Sequence, residues 1–381
     1  MDSMTVVHVL EPGGGGAMRH VLDLAAAQAR AGWRVHIVYS PIRMEALFEP
    51  QLLALSRDWP NITLHSLPMH RAPHVSDAKN LFDLVKLLRV ARPDILHAHS
   101  TKAGMLARMA SAVVKVPVIY TPHALMTLNP KTPPWKKMIY GWYEQLLSPV
   151  MQRMIFLSQE EQAHAVSLGM PANKMVMGLN GITPFTLGDR KALRTTLKIA
   201  GDEVVVGFVG RLAPQKNPQL AIRAFAQAAT KNEKLKLLLI GGGDLRGECE
   251  QLAQNLGVMD RILWLGAANA REWYGAMDLL LITSRYEVMA YIFVEALHAG
   301  LPIIATPAGG SDSCVITGQT GFTVAPDETE IAEKILQLAE DAPLRDAMHF
   351  AARAHSQNFT IPNMFELHAK IYRDALGAPK A

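Results

Sequence analysis

The 381-residue chain lacks most of the features that mark secreted or membrane-spanning proteins. Its two cysteines, Cys249 and Cys314, cannot form a disulfide framework, which fits a reducing compartment. No apolar run approaches the ~18 residues of a membrane span, and the first residues lack the basic region of a signal peptide. We therefore expect a cytoplasmic protein.

Charge is also scarce, and it is unevenly distributed. The net charge is +4, but residues 1–185 carry 18 Lys and Arg against 12 Asp and Glu, whereas the remainder carries 20 against 22. The sequence has no dense basic run and no basic-aromatic recognition motif, so we expect no nucleic-acid partner. The basic first part instead predicts an anionic partner, such as a phosphate-bearing ligand or the acidic surface of a membrane.

Short apolar runs of strand length alternate with amphipathic helical stretches along almost the whole chain. This alternation predicts an α/β protein with doubly wound parallel sheets. The pattern pauses at residues 180–188, and the chain is too long for one ordinary core. We predict two tandem Rossmann-like domains, residues 1–185 and 186–360, facing each other across a ligand-binding cleft, and a C-terminal helix in residues 361–381 that packs toward the first domain.

A glycine-rich segment, Gly13–Gly16, follows the first predicted strand. Glycines at such a turn let a phosphate approach the backbone at a helix N-terminus, or they only permit close packing. The segment is not a G-x-G-x-x-G fingerprint, and no acidic residue ends the second predicted strand. A nicotinamide dinucleotide site, and with it an oxidoreductase, is therefore poorly supported.

Three histidines, His97, His99 and His123, lie at the ends of two predicted neighbouring strands. Their imidazoles could bind sugar or phosphate oxygens, or they could be structural groups hydrogen-bonded within the fold. His123 precedes a loop expected to border the cleft, which favours a ligand role for it. No Asp, Glu or Cys stands at a suitable spacing to share a metal ion, so we expect no metal site.

The segment Trp135–Met151 has an apolar, aromatic helical face, and Lys131, Lys136 and Lys137 lie at its start. A basic, aromatic, amphipathic helix can lie at a membrane interface. It can equally be an ordinary helix that buries its apolar face in the core. The sequence leaves both interpretations open.

Two cations, Arg211 and Lys216, follow a predicted strand of the second half. Cations at the carboxyl end of a strand can neutralise a diphosphate, although both side chains could also be solvated surface residues. The chain has no Asp-x-Asp pair that could hold a divalent metal against phosphates. Without such a metal, the neutralisation of a diphosphate would depend on these two cations.

Two glutamates, Glu287 and Glu295, lie eight positions apart, in the loop after another predicted strand and in the following helix. We expect the helix to begin near Met289, so that its free amides lie beside Glu287. At 1.5 Å per residue the two carboxylates would be roughly 12 Å apart along the axis. This spacing suits an extended ligand with hydroxyl groups at both ends and phosphates between them; the alternative is two solvated surface acids.

Together these segments resemble family 4 of the retaining glycosyltransferases, which have the two-domain GT-B fold. The resemblance covers nearly the whole chain, and its segments are individually weak but strong in this order and spacing. They are PGGGG with RHVLDLA, DILHAHSTKAG, TPH, NGI, VGRLAPQKNP, GGGDLR, LWLG, the Glu287/Glu295 pair, LHAGLPIIATPAGG and TGQTGFTV. The stretches HSTKAG, YTPHAL and YGWYEQLLS are most similar to enzymes of bacterial exopolysaccharide and O-antigen clusters.

The resemblance implies a nucleoside-diphosphate-sugar donor held mainly by the second domain. We expect no metal and no other cofactor. It implies that Arg211 and Lys216 contact the donor diphosphate and that Glu295 contacts the nucleotide ribose. It also implies that Glu287 and His123 face the donor sugar. The other donor-binding positions that it implies are Gly15, Gly16 and Gly210, together with the residues after Glu287: Val288, Met289, Ala290 and Tyr291.

Three positions depart from the family's pattern. Val288 stands where a glycine usually follows the first glutamate, which narrows the backbone freedom beside the sugar. In Gly309–Ser313 the usual acid is missing or displaced to Asp312, and Met18 replaces the acid that usually follows the first glycine pair. These departures leave the identity of the donor sugar open.

The sequence thus predicts a retaining transferase that moves a hexose or N-acetylhexosamine from a UDP- or GDP-linked donor to an acceptor hydroxyl. The expected acceptor is a polyprenyl-diphosphate-linked glycan at the cytoplasmic surface of the inner membrane, in the biosynthesis of a cell-surface polysaccharide. Two alternatives stay open: a sugar-nucleotide epimerase of the same fold, and a non-catalytic sugar-nucleotide-binding protein.

Overall fold

The computed structural model describes residues 3–130 and 132–377, and these form two compact units. The first unit runs to Gly181 and resumes at Ile361, and the second is Ile182–Thr360. Each unit contains its own sheet of parallel strands, which confirms the predicted α/β class with two parallel sheets in tandem. Cys249 and Cys314 are both buried and free.

The first unit is built on a seven-stranded sheet. Its strands are β1 (Thr5–Leu10), β2 (Arg34–Tyr39), β3 (Ile62–Ser66), β4 (Ile95–His99), β5 (Val118–Thr121), β6 (Arg153–Phe156) and β7 (Met175–Met177). They lie in the order β3-β2-β1-β4-β5-β6-β7 and all pair in parallel. The helices are α1 (Gly15–Arg30), α2 (Glu49–Asp58), α3 (Asp77–Ala91), α4 (Thr101–Val114), α5 (Pro134–Leu147) and α6 (Gln159–Ser167).

The second unit repeats this architecture with six parallel strands. They are β8 (Val204–Val209), β9 (Leu235–Ile240), β10 (Ile262–Gly266), β11 (Leu279–Ile282), β12 (Ile303–Ala305) and β13 (Gly321–Thr323), in the order β10-β9-β8-β11-β12-β13. The helices are α7 (Arg190–Thr196), α8 (Pro218–Lys231), α9 (Arg246–Asn255), α10 (Tyr291–Ala299), α11 (Ser311–Cys314), α12 (Glu328–Glu340) and α13 (Ala342–Ser356).

The last helix, α14 (Ile361–Gly377), belongs to the first unit and packs on α1. Phe365 and Tyr372 of α14 are buried against Trp33, with ring centroids 5.2 and 6.1 Å from it. Residues 378–381 of the predicted C-terminal segment lie outside the described residues.

The central strands are apolar on both faces because helices cover both sides of a doubly wound sheet. β1, for example, is buried along its whole length. Within the described residues, no helix combines the length and the apolar character that a membrane span requires.

Candidate active site

The carboxyl ends of β8 and β11 bring two predicted site residues together in the second unit. These strands are parallel neighbours, and the loops that follow them carry Lys216 and Glu287. Lys216 Nζ lies 2.5 Å from Glu287 Oε1, and the two side chains are only 18% and 7% exposed. A charge-assisted hydrogen bond shielded from water in this way fixes both groups at one point of the strand edge.

Hydrogen bonds to backbone carbonyl groups hold these two loops together. Thr283 Oγ1 donates to the carbonyl oxygens of Lys216 and Asn217, at 3.1 and 2.9 Å. The amide of Arg285 donates to the carbonyl oxygen of Gln215 at 2.8 Å. These bonds fix the backbone on both sides of the ion pair, so the positions of Lys216 and Glu287 do not depend on their side chains alone.

Arg211 lies at the same edge, directly after β8, and its side chain is exposed. Within residues 3–130 and 132–377 its guanidinium forms no ion pair. The loops around it pack backbone against backbone, since a Cβ at Gly241 would lie 1.9 Å from Gly210 O and one at Gly243 would lie 2.5 Å from Leu212 O. Glycine is required at both positions, and the packing leaves the guanidinium accessible to a ligand.

Glu295 lies in α10 and is mostly buried. Its Oε1 accepts from Arg271 Nε at 3.1 Å, and its Oε2 accepts from Tyr274 Oη at 2.9 Å. Arg271 in turn lies over the ring of Phe185, 5.0 Å from the centroid. Arg271 and Tyr274 were not predicted from the sequence, because neither belongs to a periodic pattern or a motif. Each carboxylate oxygen can accept a further hydrogen bond, so this oriented group can also bind a hydroxyl.

The helix after Glu287 begins at Tyr291, two residues later than the expected start near Met289. Glu287 therefore lies in a loop outside the helix, and the estimate of roughly 12 Å from helical rise does not describe its separation from Glu295. Ala290 precedes the first helical residue in an extended conformation.

The turn between Glu287 and α10 places its left-handed residue at Met289, with φ 44°, and Val288 is not among the described residues of positive φ. A valine at position 288 is therefore accommodated without backbone strain. Met289 N donates to Gly309 O at 3.0 Å, and a Cβ at Gly310 would lie 2.9 Å from Met289 Cα. This close approach explains the glycine at position 310.

Asp312, the residue considered as a displaced acid, lies in the short helix α11. Its Oδ1 accepts from the amides of Gly310 and Ser313, at 3.3 and 3.0 Å. These bonds satisfy backbone groups at the start of α11, which is a local capping role.

In the first unit, the glycine segment forms the start of α1. Gly15 is the first helical residue and has φ 66°. A Cβ at Gly13 would lie 2.4 Å from Arg43 O, so close packing requires glycine there. Gly16 lines a cavity, whereas Met18, which replaces the family's acid, is fully buried in the core.

The cavity beside this turn has a volume of about 300 Å³ and lies within the first unit. Lys102, whose Nζ lies 2.5 Å from Asp77 Oδ2, contributes a buried cation to its wall. Other residues that line it are Gly14, Gly16, Arg71, Ser100, His123, Ile139, Tyr140 and Tyr143. Cationic and aromatic side chains together suit a ligand with both anionic and apolar parts.

His123 is the partly exposed end of a chain of buried histidines. His123 Nε2 lies 3.0 Å from His99 Nδ1, and His99 Nε2 lies 3.0 Å from His8 Nδ1. Beyond them, His8 Nε2 lies 2.8 Å from Gln28 Oε1. Burial lowers the pKa of His8 to about 4 and holds the pKa values of His99 and His123 well below the usual value. These imidazoles are therefore neutral at physiological pH.

His97 has the structural role that was one of its two predicted roles. Its Nδ1 lies 2.6 Å from Tyr372 Oη, and its Nε2 lies 2.8 Å from Thr121 Oγ1. Both ring nitrogens are thereby bonded within the first unit, and the side chain is fully buried. His97 thus links the sheet to α14.

The backbone is left-handed at His123 and Ala124, with φ 51° and 90°. Glu161 holds this turn, because its Oε1 accepts from the amides of Ala124 and Leu125 at 2.9 and 2.8 Å. Burial raises the pKa of Glu161 to about 7. This carboxyl group was not predicted from the sequence, because it lies 37 positions from the turn that it holds.

The apolar face of α5 is exposed, and the helix ends at Leu147 rather than at Met151. Trp135, Met138, Trp142 and Leu146 are 58%, 70%, 61% and 57% exposed. The face that the core-packing interpretation would bury is thus open to solvent. Lys136 and Lys137 lie in its first turns, while Lys131 lies outside the described residues.

Glu144 is the buried residue through which α5 is anchored. It accepts from Arg108 Nη2 and from Tyr120 Oη, each at 2.8 Å. The ion pair is almost completely buried, with both side chains 1% exposed.

Two family descriptions match the sequence, one in each unit. "Glycosyl transferase 4-like domain" matches residues 15–181, and "Glycosyl transferases group 1" matches residues 189–355. The chain belongs to the family 4 glycosyltransferases of the GT-B fold. The predicted family is thereby confirmed.

The relatives of this glycosyltransferase include the D-inositol 3-phosphate glycosyltransferase of Stackebrandtia nassauensis, 27% identical over 99% of this chain and 91% of its own length. The capsular polysaccharide biosynthesis glycosyltransferase CapM of Staphylococcus aureus is 26% identical over 79% of this chain and 82% of its own. Among solved structures, Anabaena HepE in complex with UDP has a TM-score of 0.84 at 23% identity, over 97% of this chain and 100% of its own.

Proposed function

We propose that this glycosyltransferase moves a hexose or N-acetylhexosamine from a nucleoside-diphosphate sugar to an acceptor hydroxyl, with retention at the anomeric carbon. The observation that carries the proposal is the Lys216–Glu287 pair at the carboxyl ends of β8 and β11. Ligands of parallel α/β sheets bind at this edge. HepE, which shares the fold, was solved with UDP and with UDP-glucose, which favours a UDP-linked donor.

The donor diphosphate gains negative charge as its bond to the sugar breaks. Arg211 and Lys216 are the cations that we assign to this charge. The Lys216 ammonium has three donors, so it can keep its bond to Glu287 and still bind a phosphate oxygen. Stabilisation that increases in the transition state raises the rate, and with two cations at the diphosphate we propose that no metal ion is needed there.

Retention is achieved in this proposal by attack on the face that the diphosphate leaves. The bond from the anomeric carbon to the phosphate oxygen breaks, and the bond to the acceptor oxygen forms. The acceptor's proton passes to the departing phosphate oxygen. In this mechanism Glu287 orients the sugar and is not the nucleophile, and the bond from Lys216 to its Oε1 fixes the direction of the carboxylate. We assign His123 to the sugar and the loop Val288–Tyr291 to the sugar and the diphosphate, apart from the amide of Met289, which donates to Gly309 O.

For the acceptor we propose a glycan linked to a polyprenyl diphosphate at the cytoplasmic face of the inner membrane. Support comes from α5, which exposes Trp135 and Trp142 to solvent and also contributes Tyr140 and Tyr143 to the cavity. A lipid held at a membrane surface could reach the cavity along this helix, and Lys102 offers a cation for its diphosphate. The similarity to CapM favours a cell-surface polysaccharide as the product.

A donor screen with product analysis tests this proposal. The protein is mixed with UDP-, GDP- and dTDP-sugars, and the expected result is a raised melting temperature with one nucleotide class, because ligands of the native state stabilise it. The best donor is then incubated with lipid-linked acceptors, and the anomeric configuration of the product is read by NMR.

The other outcomes identify the alternatives. Conversion of the donor sugar without any acceptor would indicate an epimerase. Binding with no transfer to any lipid-linked acceptor would indicate a non-catalytic binding protein. Absence of stabilisation by every sugar nucleotide would contradict the proposed donor class.

A further inference from the structure

Three histidines from separate segments of the first unit converge beside the cavity. His20 lies on α1, His99 ends β4, and His123 follows β5. One ring nitrogen of each lies within 4.8 Å of those of the other two. The proposed glycosyl transfer uses His123 and assigns no role to the other two.

The hydrogen-bonded chain behind His99 determines which of its nitrogens is free of a proton. Gln28 Oε1 can only accept, so His8 Nε2 donates to it and His8 Nδ1 is an acceptor. His99 Nε2 then donates to His8 Nδ1 at 3.0 Å. This leaves the lone pair of His99 Nδ1 directed at His123, whose Nε2 is 3.0 Å away.

His20 is oriented in the same manner. Its Nδ1 donates to Asn180 Oδ1 at 2.8 Å, which leaves a lone pair on Nε2. His20 Nε2 is fully buried and has no hydrogen-bond partner among the described residues. Buried polar atoms without a partner are uncommon and call for an explanation. A bound cation would satisfy this nitrogen.

The chemistry of the three rings favours a transition metal over magnesium or calcium. Imidazole suits Zn²⁺, Co²⁺, Ni²⁺ and Cu²⁺, whereas Mg²⁺ and Ca²⁺ prefer oxygen. Tetrahedral zinc ligands with bonds of 2.0–2.1 Å are about 3.3 Å apart, near the observed 3.0 Å of the His99–His123 pair.

A second group of three histidines, His8, His97 and His99, also has clustered nitrogens. Both nitrogens of His97 are already bonded, to Tyr372 and Thr121, and His8 is held by Gln28. This group is therefore a second layer of support. Metal-bound histidines are commonly oriented by hydrogen bonds of this type to the other ring nitrogen.

We propose that His20, His99 and His123 form a binding site for one divalent transition-metal ion of the Zn²⁺ class, with a fourth position open to the cavity that His123 lines. For His123 to ligate through Nε2, its proton moves to Nδ1, so that the ring stays neutral. Metal binding then withdraws His123 from any sugar. Resting on the proposed function, the expected consequence is inhibition of transfer by Zn²⁺ that a chelator reverses.

Cobalt substitution tests the site without any donor or acceptor. Tag-free protein treated with a chelator is titrated with Co²⁺, followed by its visible spectrum, and with Zn²⁺ by calorimetry. We expect one equivalent with the absorption of tetrahedral cobalt, no response to Mg²⁺, and affinity at least about tenfold lower in His20→Leu, since the loss of even a supporting group typically costs 10–100-fold.

His65→Leu is the matched control, because His65 Nε2 pairs with His36 Nδ1 at 3.0 Å, as the His99–His123 pair does, but the two do not belong to a group of three among the described residues. It should bind Co²⁺ like the wild type. The absence of a tetrahedral cobalt spectrum in the wild type would overturn the proposed site. Equal affinity for Co²⁺ in a folded His20→Leu variant would also overturn it. If that variant does not fold, the wild-type spectrum alone decides. If the metal binds but does not inhibit glycosyl transfer, the site is supported and its proposed effect on transfer is contradicted.

Discussion

Lys216 Nζ lies 2.5 Å from Glu287 Oε1, although the two residues are 71 positions apart in the chain. β8 and β11 are adjacent, so the loops that follow them meet at one edge of the sheet. The pair is mostly shielded from solvent, and the carboxylate holds the ammonium at the point where a donor diphosphate is expected. A lysine placed in this way loses little side-chain entropy when a phosphate binds.

Replacing Glu287 by Gln should separate diphosphate binding from sugar orientation. The amide no longer neutralises Lys216, so affinity for free UDP should stay the same or increase. The donor sugar should lose an oriented acceptor, and kcat should fall about 10-fold to 100-fold, the loss expected for a positioning group. Calorimetry with UDP and steady-state kinetics measure the two effects. UDP affinity that falls in parallel with kcat would contradict this division.

Binding to anionic vesicles should depend on the exposed face of α5. Trp135→Ser with Trp142→Ser should weaken binding at low salt, because both indoles are largely exposed on this helix. Phe82→Ser is the control, since Phe82 is 69% exposed on another helix, α3. Vesicle flotation at low and high salt gives the readout. Equal flotation of the double variant and the control would argue against α5 as the contact.

The buried Arg108–Glu144 pair should make a large contribution to stability that is revealed when one partner is removed. Arg108→Leu leaves Glu144 buried without its cation, and the free energy of unfolding should fall by about 3–5 kcal/mol. Arg57→Leu, in the exposed Arg57–Asp58 pair, should change it by less than about 1 kcal/mol. Urea denaturation measures both.

Arg108→Leu combined with Glu144→Leu should destabilise less than Arg108→Leu alone, because the double variant leaves no unpaired charge in the core. If the double variant loses more unfolding free energy than Arg108→Leu does, the interaction between the two side chains, and not the unpaired charge of Glu144, dominates the effect on stability.

The buried histidines of the first unit should make the protein acid-sensitive. Burial lowers the pKa of His8 and of His20 from 6.5 to about 4, so between these values the unfolded chain binds more protons than the native one. Stability should be complete above about pH 6.5 and decrease as the pH falls toward 4, by about 2 kcal/mol per histidine between pH 7 and 5. Urea midpoints at several pH values test this.

Glu161 has the opposite effect on the pH dependence of stability. Its pKa is raised to about 7, so between the unfolded and folded pKa values the folded state binds the extra proton. Glu161→Gln should therefore steepen the loss of stability at acid pH. Urea midpoints that stay constant from pH 7 to 5 in Glu161→Gln would contradict the neutral histidine chain.

The sequence predicted most of the fold because strand and helix periodicity is local. The alternation of apolar strands and amphipathic helices that it predicted is present in both units, although α10 begins two residues later than expected. Helix α2 was not predicted, since Leu52 is its one buried residue and gives no amphipathic pattern. Strand β13 is three residues long and begins at Gly321, which gave no periodic signal either.

Only the site residues that belong to recognisable motifs could be predicted. Lys216 and Glu287 were predicted separately. Their pairing depends on the order of the strands in the sheet, and this order could not be read from the sequence. Glu161 and Arg271 act on residues far from them in the chain and belong to no recognised pattern. The three-histidine group was also out of reach, because its members come from three segments with unrelated spacing.

The most direct test of the donor site is the kinetics of Arg211→Met and Lys216→Met with the best sugar nucleotide. Lys236→Met is the matched control, since Lys236 pairs with Glu203 in the same unit at 3.5 Å and has a similar exposure of 22%. Each site variant should lose about 100-fold in kcat/KM while the control stays near wild type, as expected when a charge-stabilising group is removed. A loss below about tenfold, under ~1.4 kcal/mol, in both variants would contradict the assignment of these cations to the donor diphosphate.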